Sequence, residues 1–116
     1  MNKIDKVYTI TKSVRVKNVV GSSKTSPKCA NCGDWIDHWN QFSGKLTGDC
    51  RIKGCTNKAT VGAHVTRPLA KDENLHTHHY IIPMCREHNG KHGEEFDTKD
   101  HVTFVWANVA ETCSKL

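Results

Sequence analysis

Cys50-Arg-Ile-Lys-Gly-Cys55 stands ahead of the apolar stretch Gly62-Ala63-His64-Val65, and Tyr80-Ile-Ile-Pro-Met-Cys85-Arg-Glu-His88-Asn89 follows it. Two pairs of soft ligands thus bracket an apolar stretch that carries His64. Thiolates and imidazoles paired with two to four residues between them suit a tetrahedral zinc ion: each tight turn brings two ligands to the metal, and a distant second pair closes the loop. The spacing predicts one zinc held by Cys50, Cys55, Cys85 and His88. His64, between the pairs, raises the question of catalysis.

The chain has 116 residues, of which 36% are hydrophobic and 7% aromatic. That is enough for one domain with a small core, and a small core needs a staple. Disulfides are the competing staple for six cysteines. The first residues, Met1-Asn-Lys-Ile-Asp-Lys-Val, lack the continuous apolar stretch of an export signal. The expectation is therefore a reducing, cytoplasmic setting in which close Cys and His pairs are metal ligands. No apolar run approaches the roughly 20 residues that cross a bilayer, so no membrane partner is expected.

Seventeen Lys and Arg stand against twelve Asp and Glu, a formal charge of +5. Much of the excess lies early, at Lys3, Lys6, Lys12, Arg15, Lys17, Lys24 and Lys28. Such a charge attracts polyanions by counterion release, which makes nucleic acid a permitted partner. It also serves solubility alone in many small domains.

Residues 1 to 20 alternate apolar and polar around Val7, Val14 and Val16, as an edge strand or a loosely attached arm would. Gly21 to Pro27 is loop-like, giving a basic N-terminal arm over 1–28 and a zinc-binding domain over 29–116. In Asp34-Trp-Ile-Asp-His-Trp-Asn-Gln-Phe42, the side chains Trp35, Ile36, Trp39 and Phe42 recur at helical spacing. A short helix packing aromatics on the core is favoured there over a base-stacking role. Ser43 to Asp49 is a Gly-rich connector. Residues 59 to 66 read as a strand, with Val61, Ala63 and Val65 on one face and Gly62 and His64 on the other. Arg67 to His79 is a polar loop. Tyr80 to Met84 is the return strand, whose proline is expected to stop the ladder just before Cys85. A short helix follows Cys85, weakened by Gly90 and Gly93, and residues 101–109 supply a last strand. The class expected is α+β.

Cys29-Ala-Asn-Cys32-Gly33 is a second tight knuckle. Six cysteines and His88 make seven plausible ligands, and two closed tetrahedral sites need eight. A second zinc would therefore draw on Cys29, Cys32 and Cys113, with His38 or His64 as its fourth ligand. Cys113 is otherwise a free thiol near the terminus. A zinc ribbon of Cys29, Cys32, Cys50 and Cys55 would strand Cys85 and His88, which makes it the weaker arrangement. His76, His78 and His79 are read as solvated loop residues and His101 as a surface residue.

Knuckle, hairpin, then a helix whose first turn carries Cys85 and His88 is the outline of a treble clef. The segment from Cys50 to Gly93 resembles the HNH, or His-Me finger, nuclease motif in its zinc-stapled form. Ala63-His64-Val65 stands where that family has its histidine strand, Tyr80 to Cys85 where it has an apolar segment ending in cysteine. His88-Asn89 takes the place of Cys-His or Cys-Asn. The chain is also similar to a narrower group of small bacterial and phage proteins carrying Cys-x2-Cys-Gly-x-Trp and, later, Gly-Ala-His-Val with Ile-Ile-Pro-Leu-Cys. The resemblance implies zinc binding in both cases.

The nuclease resemblance further implies a role for His64 as general base toward an attacking water. Asn89 would be a ligand to a catalytic Mg or Mn ion, with His92 a second contact. One departure opposes that activity. The family places a metal-binding side chain just before the base, and this chain has Ala63. A carboxylate from Asp72, Glu87, Glu94 or Glu95 would have to stand in. Two functions follow: a zinc module contacting nucleic acid or a protein partner without strong catalysis, or a divalent-metal-dependent endonuclease acting on DNA or RNA.

Overall fold

The computed structural model describes residues 7–19, 35–71, 78–91 and 93–107. In chain order the elements are β1 (Val7–Thr9), β2 (Arg15–Asn18), α1 (Trp35–Ser43), β3 (Val61–Thr66), β4 (Tyr80–Met84), α2 (Arg86–Asn89), β5 (Glu95–Asp97) and β6 (Thr103–Trp106). The strands make one antiparallel sheet in the order β1-β6-β4-β3-β2-β5. The fold is α+β, as expected.

The β3–β4 hairpin is the spine, in register from Val61 opposite Met84 to Val65 opposite Tyr80. Its alternation sorts the two faces. Ala63, Val65, Tyr80, Ile82 and Met84 join Val16, Val102 and Phe104 in the larger core, which also contains Cys50, Cys55 and Cys85. The opposite face carries Gly62, His64 and Ile81, and α1 lies on it. Trp35 and Trp39 pack there with Ile81 and Val105, flanked by Ile36, Phe42 and Ala107.

Two buried side chains of α1 spend their polar groups on β6. Trp39 Nε1 donates to the Thr103 carbonyl at 2.9 Å, and His38 Nε2 to that of Trp106 at 3.0 Å. A buried indole or imidazole N–H needs such a partner. Close approach of the helix is possible because residue 62 has no side chain. A Cβ there would stand 2.5 Å from the Trp35 carbonyl carbon and 2.6 Å from the Ile36 nitrogen, both backbone atoms.

Four features differ from the sequence reading. The early alternating segment is not simply an arm: β1 is an edge strand, but β2 is interior, paired with β3 on one side and β5 on the other. The ladder ends just before Cys85, at Met84, as expected, but Pro83 is not what ends it: it sits inside β4 opposite Gly62. Its carbonyl accepts from Arg51 N at 3.0 Å. The imide nitrogen points to that same side, beyond the part of β4 that pairs with β6, so no ladder hydrogen bond is lost. Finally, Glu95–Asp97 forms a strand that its short, charged sequence does not announce. Arg15 on β2 holds it through Asp97 at 2.7 Å and Glu95 at 3.6 Å. The last strand also starts later than residue 101, running from Thr103 to Trp106, while residues 108 and 109 lie outside the described residues.

Candidate metal centre

Cys50 and Cys55 flank a tight turn. Cys55 N donates to the Ile52 carbonyl at 3.0 Å, and Gly54 adopts φ +81°, a conformation that L side chains resist. The stem is tied to the rest of the chain by Cys50 N to Asn57 O and Lys53 N to Asp97 O, both 2.9 Å. Arg51 folds back over the Trp39 ring, 5.2 Å from its centroid. It donates to the carbonyls of Thr47 and Asp49, holding the preceding connector against the helix. The other two donors come from the end of β4. Cys85 is the N-cap of α2 and His88 its third residue, so a single helical turn brings both side chains to one side.

The ligand atoms of Cys50, Cys55, Cys85 and His88 all lie within 4.8 Å of one another. Cys85 Sγ is 3.2 Å from His88 Nδ1 and 3.9 Å from Cys55 Sγ, while Cys50 Sγ is 3.8 Å from His88 Nδ1. A tetrahedron with Zn–S bonds of about 2.3 Å has S···S edges of about 3.8 Å. These separations fit such an ion without rearrangement of the chain. The three cysteines are buried and free of disulfides. Three thiolates and one imidazole are also the donor set that zinc favours over hard cations.

The thiols are unequal. Burial pushes Cys50 up to about 12. Burial pushes Cys85 the same way, but hydrogen bonding to His88, Asn57 and Cys50 outweighs it and brings that thiol down to about 6. A bound divalent cation supplies the positive charge that lets all three ionise together. Two asparagines absent from the sequence reading support the site. Asn57 Nδ2 donates to Cys85 Sγ at 3.8 Å. Asn18 Nδ2, on β2, reaches the carbonyls of Asn89, Lys91 and His88 at 2.8, 3.2 and 3.4 Å. Asn18 had no local signal, since its partners lie about seventy residues away in sequence.

The other candidate residues are placed elsewhere. His64 is buried on the α1 face, its ring edge-on to Trp35 with centroids 4.4 Å apart. Asn18 stands directly opposite Val65, so its side chain leaves the sheet on Val65's face. The α2 turn it grips, with Asn89, lies on that side. The structure thus does not bring His64 and Asn89 to one face. Ala63 is fully buried in the core. His38 is on the buried, sheet-facing side of α1, with burial lowering its pKa. His79 is 6.3 Å from the His64 ring and His78 packs edge-on to Trp106. Glu87, Glu94 and Glu95 are exposed. Cys29, Cys32, Cys113, Asp72, His76 and His92 lie outside the described residues, as does the boundary between residues 28 and 29.

The chain matches no protein-family model, no curated protein and no solved structure in comparisons with each. Among the described residues, no helix is long and apolar enough to cross a membrane. What stands on the geometry is an antiparallel α+β protein with a Cys3His cluster able to hold a metal ion.

Proposed function

We propose that the protein is a zinc-stapled binding module whose knuckle, β3–β4 hairpin and α2 form a treble-clef core of the HNH type. In this reading it contacts nucleic acid and has little or no nuclease turnover. The observation that carries the reading is the four-donor cluster within 4.8 Å. Four protein ligands close a tetrahedral site, and closed sites are structural, whereas catalytic zinc keeps a position for water or substrate. Two further observations support weak catalysis: Ala63 is enclosed by core side chains, and His64 faces α1 rather than the α2 side of the sheet. Contact with nucleic acid rests on the charge of +5.

Purified protein should carry zinc, close to two ions per chain if Cys29 and Cys32 form their own site, with Cys29→Ser then losing one. A zinc-free, folded wild type overturns the reading. Binding to DNA and RNA oligonucleotides should fall steeply with salt and depend little on sequence. Affinity that stays flat from low to physiological salt removes nucleic acid as the partner. Robust Mg-dependent plasmid nicking that vanishes in His64→Ala would install the nuclease instead.

A further inference from the structure

Asn18 is a heavily engaged polar residue outside the cluster itself. It is 1% exposed and sits at the end of an interior strand. Its side-chain nitrogen lies within 3.4 Å of three consecutive-turn carbonyls, those of His88, Asn89 and Lys91. Its backbone joins in: Asn18 N donates to the Glu94 carbonyl at 2.9 Å, and Gly93 N donates to the Asn18 carbonyl at 2.8 Å. One residue thus fastens the chain from His88 to Glu94. That is the segment where a four-residue helix ends, and carbonyls at a helix C-terminus have no partners within the helix. So short a helix cannot hold its own shape.

We propose that Asn18 is a positioning residue for the metal centre: by clamping the C-terminal turn of α2 it sets where His88 Nδ1 stands relative to the three thiolates. This rests on the zinc-binding reading and deepens it. His88 is the only ligand whose place depends on this turn. Cys50 and Cys55 are fixed by their own turn, and Cys85 by the end of β4. Side-chain packing supplies one further restraint, the edge-on contact of the His88 and Phe96 rings at 5.1 Å. Phe96 itself is on β5, which β2 holds in place. β2 thus takes part in both of these restraints on His88, directly through Asn18 and through its pairing with β5. Metal occupancy and the docking of β2 are two readings of one structure, although their residues are separated by about seventy positions in sequence.

Cobalt substitution provides the test, because its visible bands report the ligand set directly. Wild type should bind cobalt with the spectrum of a tetrahedral thiolate-rich site; absence of binding overturns the zinc reading itself, before Asn18 is at issue. Asn18→Ala should weaken zinc about 10–100-fold, the usual scale for a lost supporting partner of a ligand. Its cobalt spectrum should shift toward that of His88→Ala. Val16→Ala, which opens a cavity in the same strand, is the control for lost stability. It should retain the wild-type spectrum at saturating cobalt. A wild-type spectrum in Asn18→Ala, with an affinity loss no larger than that of Val16→Ala, would make Asn18 merely structural. If Asn18→Ala does not fold, the wild type decides: the Asn18 Nδ2 protons of the zinc-loaded protein should exchange slowly by NMR. Exchange at the rate of an exposed asparagine overturns the clamp.

Discussion

Cys85 Sγ and His88 Nδ1 face each other across 3.2 Å, one helical turn apart. α2 has four residues, and an isolated helix of that length does not persist in water. A metal bound at both side chains, and at Cys50 and Cys55 beyond them, supplies the restraint that the turn lacks.

Cys85→Ser should therefore lose both metal and fold, because ligand binding and folding are one event in a core this small. Elemental analysis and thermal melting check it together. A variant with full zinc content and a cooperative transition would refute the assignment.

Gly62→Ala places a methyl 2.5 Å from the Trp35 carbonyl carbon. Backbone cannot swing aside as a side chain does, so α1 must lift from the sheet. The expected loss is about 1–3 kcal/mol, the scale for overpacking. Chemical denaturation should show it, accompanied by a change in tryptophan fluorescence as Trp35 and Trp39 move.

Ala63→Asp, the substitution that would restore the metal-binding position of the HNH motif, should not create activity. Ala63 is fully buried among Val16, Val65 and Ile82. A carboxylate there is an uncompensated charge costing roughly 3–5 kcal/mol. The expected outcome is a lowered melting temperature with no divalent-dependent cleavage; a stable variant that nicks plasmid would contradict it.

His38 gives the pH dependence a sign. Burial lowers its pKa, so the unfolded chain binds this proton more readily than the folded one. Stability from neutral His38 is complete above the unfolded value near 6.5 and is lost as the pH falls through and below it. His38→Gln, whose amide retains a donor for the Trp106 carbonyl, should show a shallower fall in melting temperature than wild type between about pH 6.5 and 5. Equal slopes would show that His38 does not titrate this way.

The sequence made the metal cluster legible because each ligand pair is close along the chain and the chemistry of thiolate and imidazole is specific. Helix α1 was legible for a similar reason: Trp35, Ile36, Trp39 and Phe42 need only one another to define a face. The two faces of β3 followed from strict alternation, with Ala63 and Val65 inward on one side and His64 on the other. Long-range pairing was not legible. Nothing local distinguishes Arg15–Asn18 as interior, since its neighbours β3 and β5 are supplied by residues 61–66 and 95–97. Asn18 looked like any polar strand residue for the same reason. Motif resemblance aligned His64 with Asn89 along the chain, but it carries no information on which face each side chain leaves.

Sheet order also dictates a timetable for synthesis. Among the described residues the first strand, β1, pairs with the last, β6, and β2 takes one of its partners from β5. In a nascent chain β1 has no ladder partner, and β2 lacks one of its two, until residues 95–106 have been made. All four metal donors, by contrast, have emerged once His88 has. The ion can therefore close the knuckle on the β3–β4 hairpin while the sheet is still unfinished. Completion of its outer strands is then the slow, non-local step expected of distant pairings.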